Sequence, residues 1–222
     1  MDTFLYFFYS AAYLALFVWS IKITPNTQFW SLRSFIYLVF IGLIFDNTVV
    51  AVGRFAGEGD LLEILNLLRY WIHAFFTPTL VLFSLGVLRS AGIKGLNNKF
   101  AFYGTVLFTS ILIVLEVLTE IRGLKLMPEW KYGVLRYVPI EDTSGPPLMI
   151  LLVTLVLVIS GVLLWKFDGW AWMFIGAIIM TLGSAVPVPV NSSAITNGFE
   201  VLLTISLVAT KAYQERLDRK QL

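Results

Sequence analysis

Asp46, His73 and Glu200 are the side chains best suited to chemistry in this sequence: two carboxylates and the only histidine. Such a set can relay a proton, or let a carboxylate orient a histidine that acts as general acid or base, and all three are candidate catalytic residues. Around them stand Asn47, Arg54, Arg69, Glu116 and Asn197, candidate ligand-binding groups, with Glu120 beside them. An arginine fork suits an anionic head group or phosphate. All of these residues fall in or beside hydrophobic segments. A charge there costs several kcal/mol or more unless it has a partner, water or a task.

Spacing groups them further. Arg69 and His73 are i,i+4 neighbours on a helix, as are Glu116 and Glu120, and Asn197 and Glu200 are i,i+3 neighbours. Asn47 and Arg54 share a face if their helix continues that far. Asp46 and Glu200 are therefore candidate counter-charges for Arg54, Arg69 or a protonated His73. The chain has no cysteine, which excludes disulfides, thiolate metal sites and iron–sulfur clusters. One histidine excludes bis-histidine haem and three-histidine metal sites within the chain. No short ligand motif marks a metal, and no cofactor is indicated.

The elements that must position these groups are membrane helices. With 222 residues, 58% hydrophobic content and a mean hydropathy of +0.82, the chain is too apolar for an ordinary soluble domain. Several runs approach the twenty or so apolar residues that a crossing needs. The expected fold is all-α and polytopic, a single domain of seven transmembrane helices. The spans are about 3–21, 30–52, 68–89, 100–121, 148–165, 170–186 and 194–213. The first run lacks a basic leader and a small-residue cleavage site, so it reads as a retained span rather than a signal peptide.

Punctuation supports these limits. Thr24-Pro25-Asn26 turns the chain after the first span, and Gly53, Gly57 and Gly59 open a loop after the second. Asp60 with Glu63 resembles a capping box, so a helix starts near Leu61. It runs on to Arg89, too long for one crossing, and Pro78 kinks it. Residues 122–147 form the longest polar connection, either a small hairpin across Tyr132-Gly133 or an interfacial loop, whose Trp130, Tyr132 and Tyr137 suit an interfacial belt or, alternatively, a lid. Pro187, Pro189 and Asn191 make the next turn, and Ser192 or Ser193 caps the last helix. The tail from Lys211 to Leu222 reads as a solvated amphipathic end facing anionic lipid.

The basic residues orient the chain. With the N-terminus outside, ten lie inside (Lys22, Arg33, Arg89, Lys94, Lys99, Lys166, Lys211, Arg216, Arg219, Lys220) and six outside (Arg54, Arg69, Arg122, Lys125, Lys131, Arg136). The C-terminus is then cytoplasmic. Asp46, His73, Glu116 and Glu200 all reach the outer half of the bilayer from four different helices, with no comparable group expected in the inner half. The last lysine, Lys211, sits at a cytoplasmic helix end, unlike the mid-helix retinal lysine of microbial rhodopsins. One histidine is too few for seven-span hydrolases of the ceramidase type.

A polar pocket walled by Phe and Leu suits an amphiphile, so the expected partners are membrane lipids and a lipophilic small molecule, not nucleic acid. The expected location is a plasma membrane or bacterial inner membrane. The alternatives are a proton-coupled transporter, and a non-catalytic membrane subunit whose polar groups lock helices together.

Overall fold

The computed structural model describes residues 2–25, 29–140, 147–185 and 190–221. Asn26, Val186, Pro187, Pro189, Leu222 and residues 141–146 of the long connection lie outside the described residues. The chain is mostly helical. Its α-helices are α1 (Asp2–Ile23), α2 (Ile36–Ala56), α3 (Asp60–Phe76), α4 (Leu80–Ser90), α5 (Lys99–Glu116), α6 (Leu148–Asp168), α7 (Trp172–Ala185) and α8 (Ile195–Gln221). Among the described residues five helical stretches are long and apolar enough to cross a membrane: Asp2–Ile23, Leu32–Ala56, Asp60–Ser90, Lys99–Ile121 and Leu148–Asp168. α7 is a shorter apolar helix.

Many large apolar side chains point outward, Phe8, Leu14, Ile41, Leu107, Leu151 and Leu155 among them, while Asn47, Asn66 and Glu116 are buried. This is the arrangement expected where hydrocarbon, not water, surrounds the bundle.

α1 packs on α2, α2 on α3, α6 on α7, and α7 on α8, which returns to α1. α4 lies inside this ring, against α5, α6 and α8, and every residue from Leu80 to Leu88 is buried. Only Leu62, Asn66 and Ala74 are buried in α3. The change of character falls at Pro78, which lacks the N–H that would continue the α-helical ladder. The chain tightens there into a 3₁₀ turn, Thr77–Thr79, and the Thr79 hydroxyl donates to the Phe76 carbonyl. Below this break α4 fills the bundle; above it α3 leaves space.

α1 and α8 run parallel. At one end Asp2 accepts hydrogen bonds from the Ser193 backbone N–H (2.6 Å) and hydroxyl (3.0 Å). At the other, Arg219 donates to the Ile23 carbonyl at 2.9 Å. Close approach of α7 and α8 requires Gly176, where a Cβ would overlap the Ser206 side chain. Ser192 holds the entry to α8 by accepting from the Ala194 N–H at 3.1 Å. Asp60, in contrast, does not cap α3. It is the first helical residue, Gly59 holds the capping position, and no side chain bonds there.

Strands β1 (Leu126–Lys131) and β2 (Val134–Pro139) form an antiparallel hairpin, with Lys131 opposite Val134. Tyr132 and Gly133 both take positive φ, 51° and 87°, the conformation that suits a two-residue hairpin turn. The hairpin docks on α2 and α3. Leu135 and Tyr137 pack there against Val49 and Leu62, and Gly53 lets the strand approach, since a Cβ would overlap the Leu135 carbonyl oxygen. Thr3 donates to the Gly133 carbonyl at 2.8 Å, and the Gly59 N–H to the Tyr137 hydroxyl at 3.1 Å.

The opposite end of the bundle corrects the reading of the tail. Lys211 is fully buried and Glu215 is 1% exposed. Lys211 pairs with Glu215 at 3.0 Å and donates to Thr24, while Arg33 reaches Glu215 at 3.5 Å and Asp218 at 2.7 Å. Gln214 donates to Asp168 at 2.8 Å. This part of α8 joins the ends of α1, α2 and α6 instead of lying solvated on lipid. This end of the bundle therefore does carry ionisable groups, and they are paired. An amphipathic charged helix reads the same in sequence whether its polar face meets water or other helices.

Candidate functional site

At the hairpin end, α2, α3, α5, α6 and α8 surround a cavity of about 380 Å³. Asp46, Arg69, Tyr70, His73, Glu116, Glu120, Asn197 and Glu200 line it together with Leu43, Phe76, Leu80, Leu157, Leu203 and Leu207. Helices distant in sequence thus bring most of the expected polar residues to one space. No residue of the hairpin lines it.

Asp46 and Asn47, adjacent on α2, bond to different helices. Arg69 Nε donates to Asp46 Oδ1 at 2.8 Å, while Asn197 Nδ2 donates to Asn47 Oδ1 at 3.0 Å. The Asn47 amide also donates back to the Leu43 carbonyl at 2.9 Å. Consecutive residues on a helix point about 100° apart, so one position can face α3 while the next faces α8. Arg69 has a second acceptor, Asn66 Oδ1 at 2.7 Å, and the Asn66 amide is held by the Leu62 carbonyl at 2.7 Å. The guanidinium is therefore fixed by two side chains.

His73, one turn along from Arg69, lines the cavity with one ring nitrogen, Nδ1, 3.2 Å from the Thr77 hydroxyl. Glu200 faces it from α8 and interacts with the Tyr13 hydroxyl. That hydroxyl also donates to the Asn197 carbonyl at 3.3 Å. Glu116 is only 4% exposed, and its Oε2 has no hydrogen-bond partner among the described residues. α5 ends there in a π turn, Val117–Ile121, closed by the Arg122 N–H on the Val117 carbonyl at 2.8 Å. Such wide turns within helices recur at functional sites. Glu120, within that turn, lines the same cavity.

Arg54 is the expected ligand-binding residue that the structure does not bring to the cluster. It is exposed near the end of α2, its guanidinium 5.5 Å from the Phe55 ring. Asn47 is buried and acts through Asn197 without lining the cavity. Residues not expected from sequence include Tyr70, which lines the cavity, and Tyr13 and Asn66, which support it. Tyr13 has a sequence signal: with Tyr6 and Tyr9 it forms a buried tyrosine stripe on α1, and such residues need polar partners. Asn66 lies i,i+3 from Arg69, the spacing of helical neighbours.

Among the described residues no three His, Asp or Glu side chains are grouped so as to hold a metal ion. The cavity can do two things chemically. Its histidine and carboxylates can accept or deliver protons, and its apolar wall can hold a hydrocarbon part while the polar groups meet a head. Compared with protein-family models and with curated proteins, the sequence matches none.

Proposed function

We propose that this chain is a seven-span membrane protein that binds or processes a lipid or other lipophilic small molecule in the outer half of the bilayer. The carrying observation is the cavity itself, which ionisable groups line together with several leucines and Phe76. Its volume suits a small amphiphile. The excess of lysine and arginine on the tail side supports an N-out, C-in orientation, and the parallel course of α1 and α8 agrees with an odd number of crossings. A plasma membrane or bacterial inner membrane is the location that goes with this reading.

In an enzymatic version His73 acts as acid or base and Glu200 or Asp46 sets its charge. Arg69, already held by Asp46 and Asn66, serves to shape the site. Mass spectrometry of solvent extracts from purified protein tests the proposal. A lipophilic molecule should survive detergent exchange in the wild type and be lost from His73→Ala and from Asp46→Asn. Retention in both variants overturns it.

A second reading, a non-catalytic subunit with a helix lock, draws on Asp46–Arg69 and Asn47–Asn197, which tie α2 to α3 and to α8. It expects Asp46→Asn to lower stability while leaving any bound molecule in place, and a stoichiometric protein partner to copurify.

A further inference from the structure

The charge on the cavity wall narrows the class of molecule it takes. Among the described residues four carboxylates line the cavity, Asp46, Glu116, Glu120 and Glu200, against one guanidinium, Arg69. Arg69 is engaged with Asp46, and Arg54, the other arginine placed near the site by sequence, is exposed elsewhere. With Asp46 answering Arg69, Glu116 and Glu200 alone leave the wall with more carboxylate than guanidinium. An anionic head would meet like charge and find its one guanidinium already committed. Glu116 supplies an independent sign of a missing donor: it is more than nine-tenths buried, lines the cavity, and leaves Oε2 without a hydrogen-bond partner among the described residues. A buried carboxylate oxygen in that state is costly unless it carries a proton or a donor from outside reaches it.

Resting on the reading of the cavity as a lipophile site, we infer that its ligand is an amphiphile with a positively charged amine head, seated between Glu116 and Glu200, with its hydrocarbon part against the leucines of α6 and α8. An ammonium presents only donors, the complement of this wall. Tyr70 and Phe76 line the same space, and aromatic faces attract cations while offering anions nothing comparable. A phosphate or carboxylate head is disfavoured on the same grounds. The tail-end charges take no part, since Lys211, Arg33, Glu215 and Asp218 pair with one another at the other end of the bundle.

Thermal unfolding of the full-length protein in amphipol, with three probes of equal chain length, tests this: decylamine, decanol and decyl phosphate. Decylamine is expected to bind about tenfold or more tightly than decanol, the worth of one charge-assisted hydrogen bond, and decyl phosphate more weakly than either. Glu116→Gln should remove most of the preference for decylamine over decanol. Glu200→Gln is the second arm should Glu116→Gln fail to fold. If decanol or decyl phosphate binds as well as decylamine, the amine inference falls and the lipophile reading stands. The inference also falls if both variants keep the full amine preference. If none of the three probes stabilises the protein, both fall together.

Discussion

Arg69 Nε on α3 donates to Asp46 Oδ1 on α2 across 2.8 Å, at the edge of the polar cavity. The pair is partly shielded, with the arginine side chain 14% exposed and the aspartate 31%. It is neither a solvated surface pair nor a fully desolvated one. Removing one partner should cost stability because the other keeps its charge in a poorly hydrated place.

Asp46→Asn is thus expected to destabilise the protein by about 1–3 kcal/mol, the usual cost of leaving a shielded polar group short of a partner. Arg69 keeps Asn66, which limits the loss. Unfolding midpoints in detergent check it, and a midpoint equal to the wild type would rule out a stabilising pair.

Asn47 and Asn197 should be coupled. In a double-mutant cycle with Asn47→Ala and Asn197→Ala, the second substitution should cost less once the first is made. The interaction energy should be about 0.5–2 kcal/mol, as for other interhelical hydrogen bonds in membranes. Strict additivity would mean that the contact contributes nothing.

Gly53→Val should undock the hairpin, because the new side chain occupies the place of the Leu135 carbonyl. Overpacking of this kind costs about 1–3 kcal/mol. The readout is faster tryptic cleavage at Lys131 and Arg136. Ligand retention should change little, since no hairpin residue lines the cavity.

At the tail end, Glu215→Gln removes the carboxylate that Lys211 and Arg33 share. A loss of about 3–5 kcal/mol is expected for a buried pair broken on one side. The double variant Lys211→Met with Glu215→Gln should be more stable than Glu215→Gln alone. A solvated tail would show neither effect, so chemical denaturation of the two variants discriminates.

Much of the fold was legible because a membrane helix is a local property. A run of about twenty apolar residues, a proline without its N–H and a two-residue turn containing glycine each act through neighbouring residues only. The helices, the break at Pro78 and the Tyr132-Gly133 hairpin are of this kind. That Asp46, Arg69, His73, Glu116 and Glu200 share a level along the bundle was legible too, since rise per residue converts position into height. Asp60 with Glu63 misled because a cap depends on backbone geometry, which Gly59 supplies instead.

The sequence by itself determined that ionisable groups from several helices gather at one level of a hydrophobic bundle. Only the tertiary structure decided their partners: Arg69 turned to Asp46, Asn197 to Asn47, Arg54 outward, Lys211 and Glu215 to each other. Height along a helix follows from counting residues. Azimuth and proximity follow from how all the helices pack, which no single segment encodes. Those packing choices left Arg69, a fork suited by type to an anionic head, already engaged by Asp46 in the cavity wall.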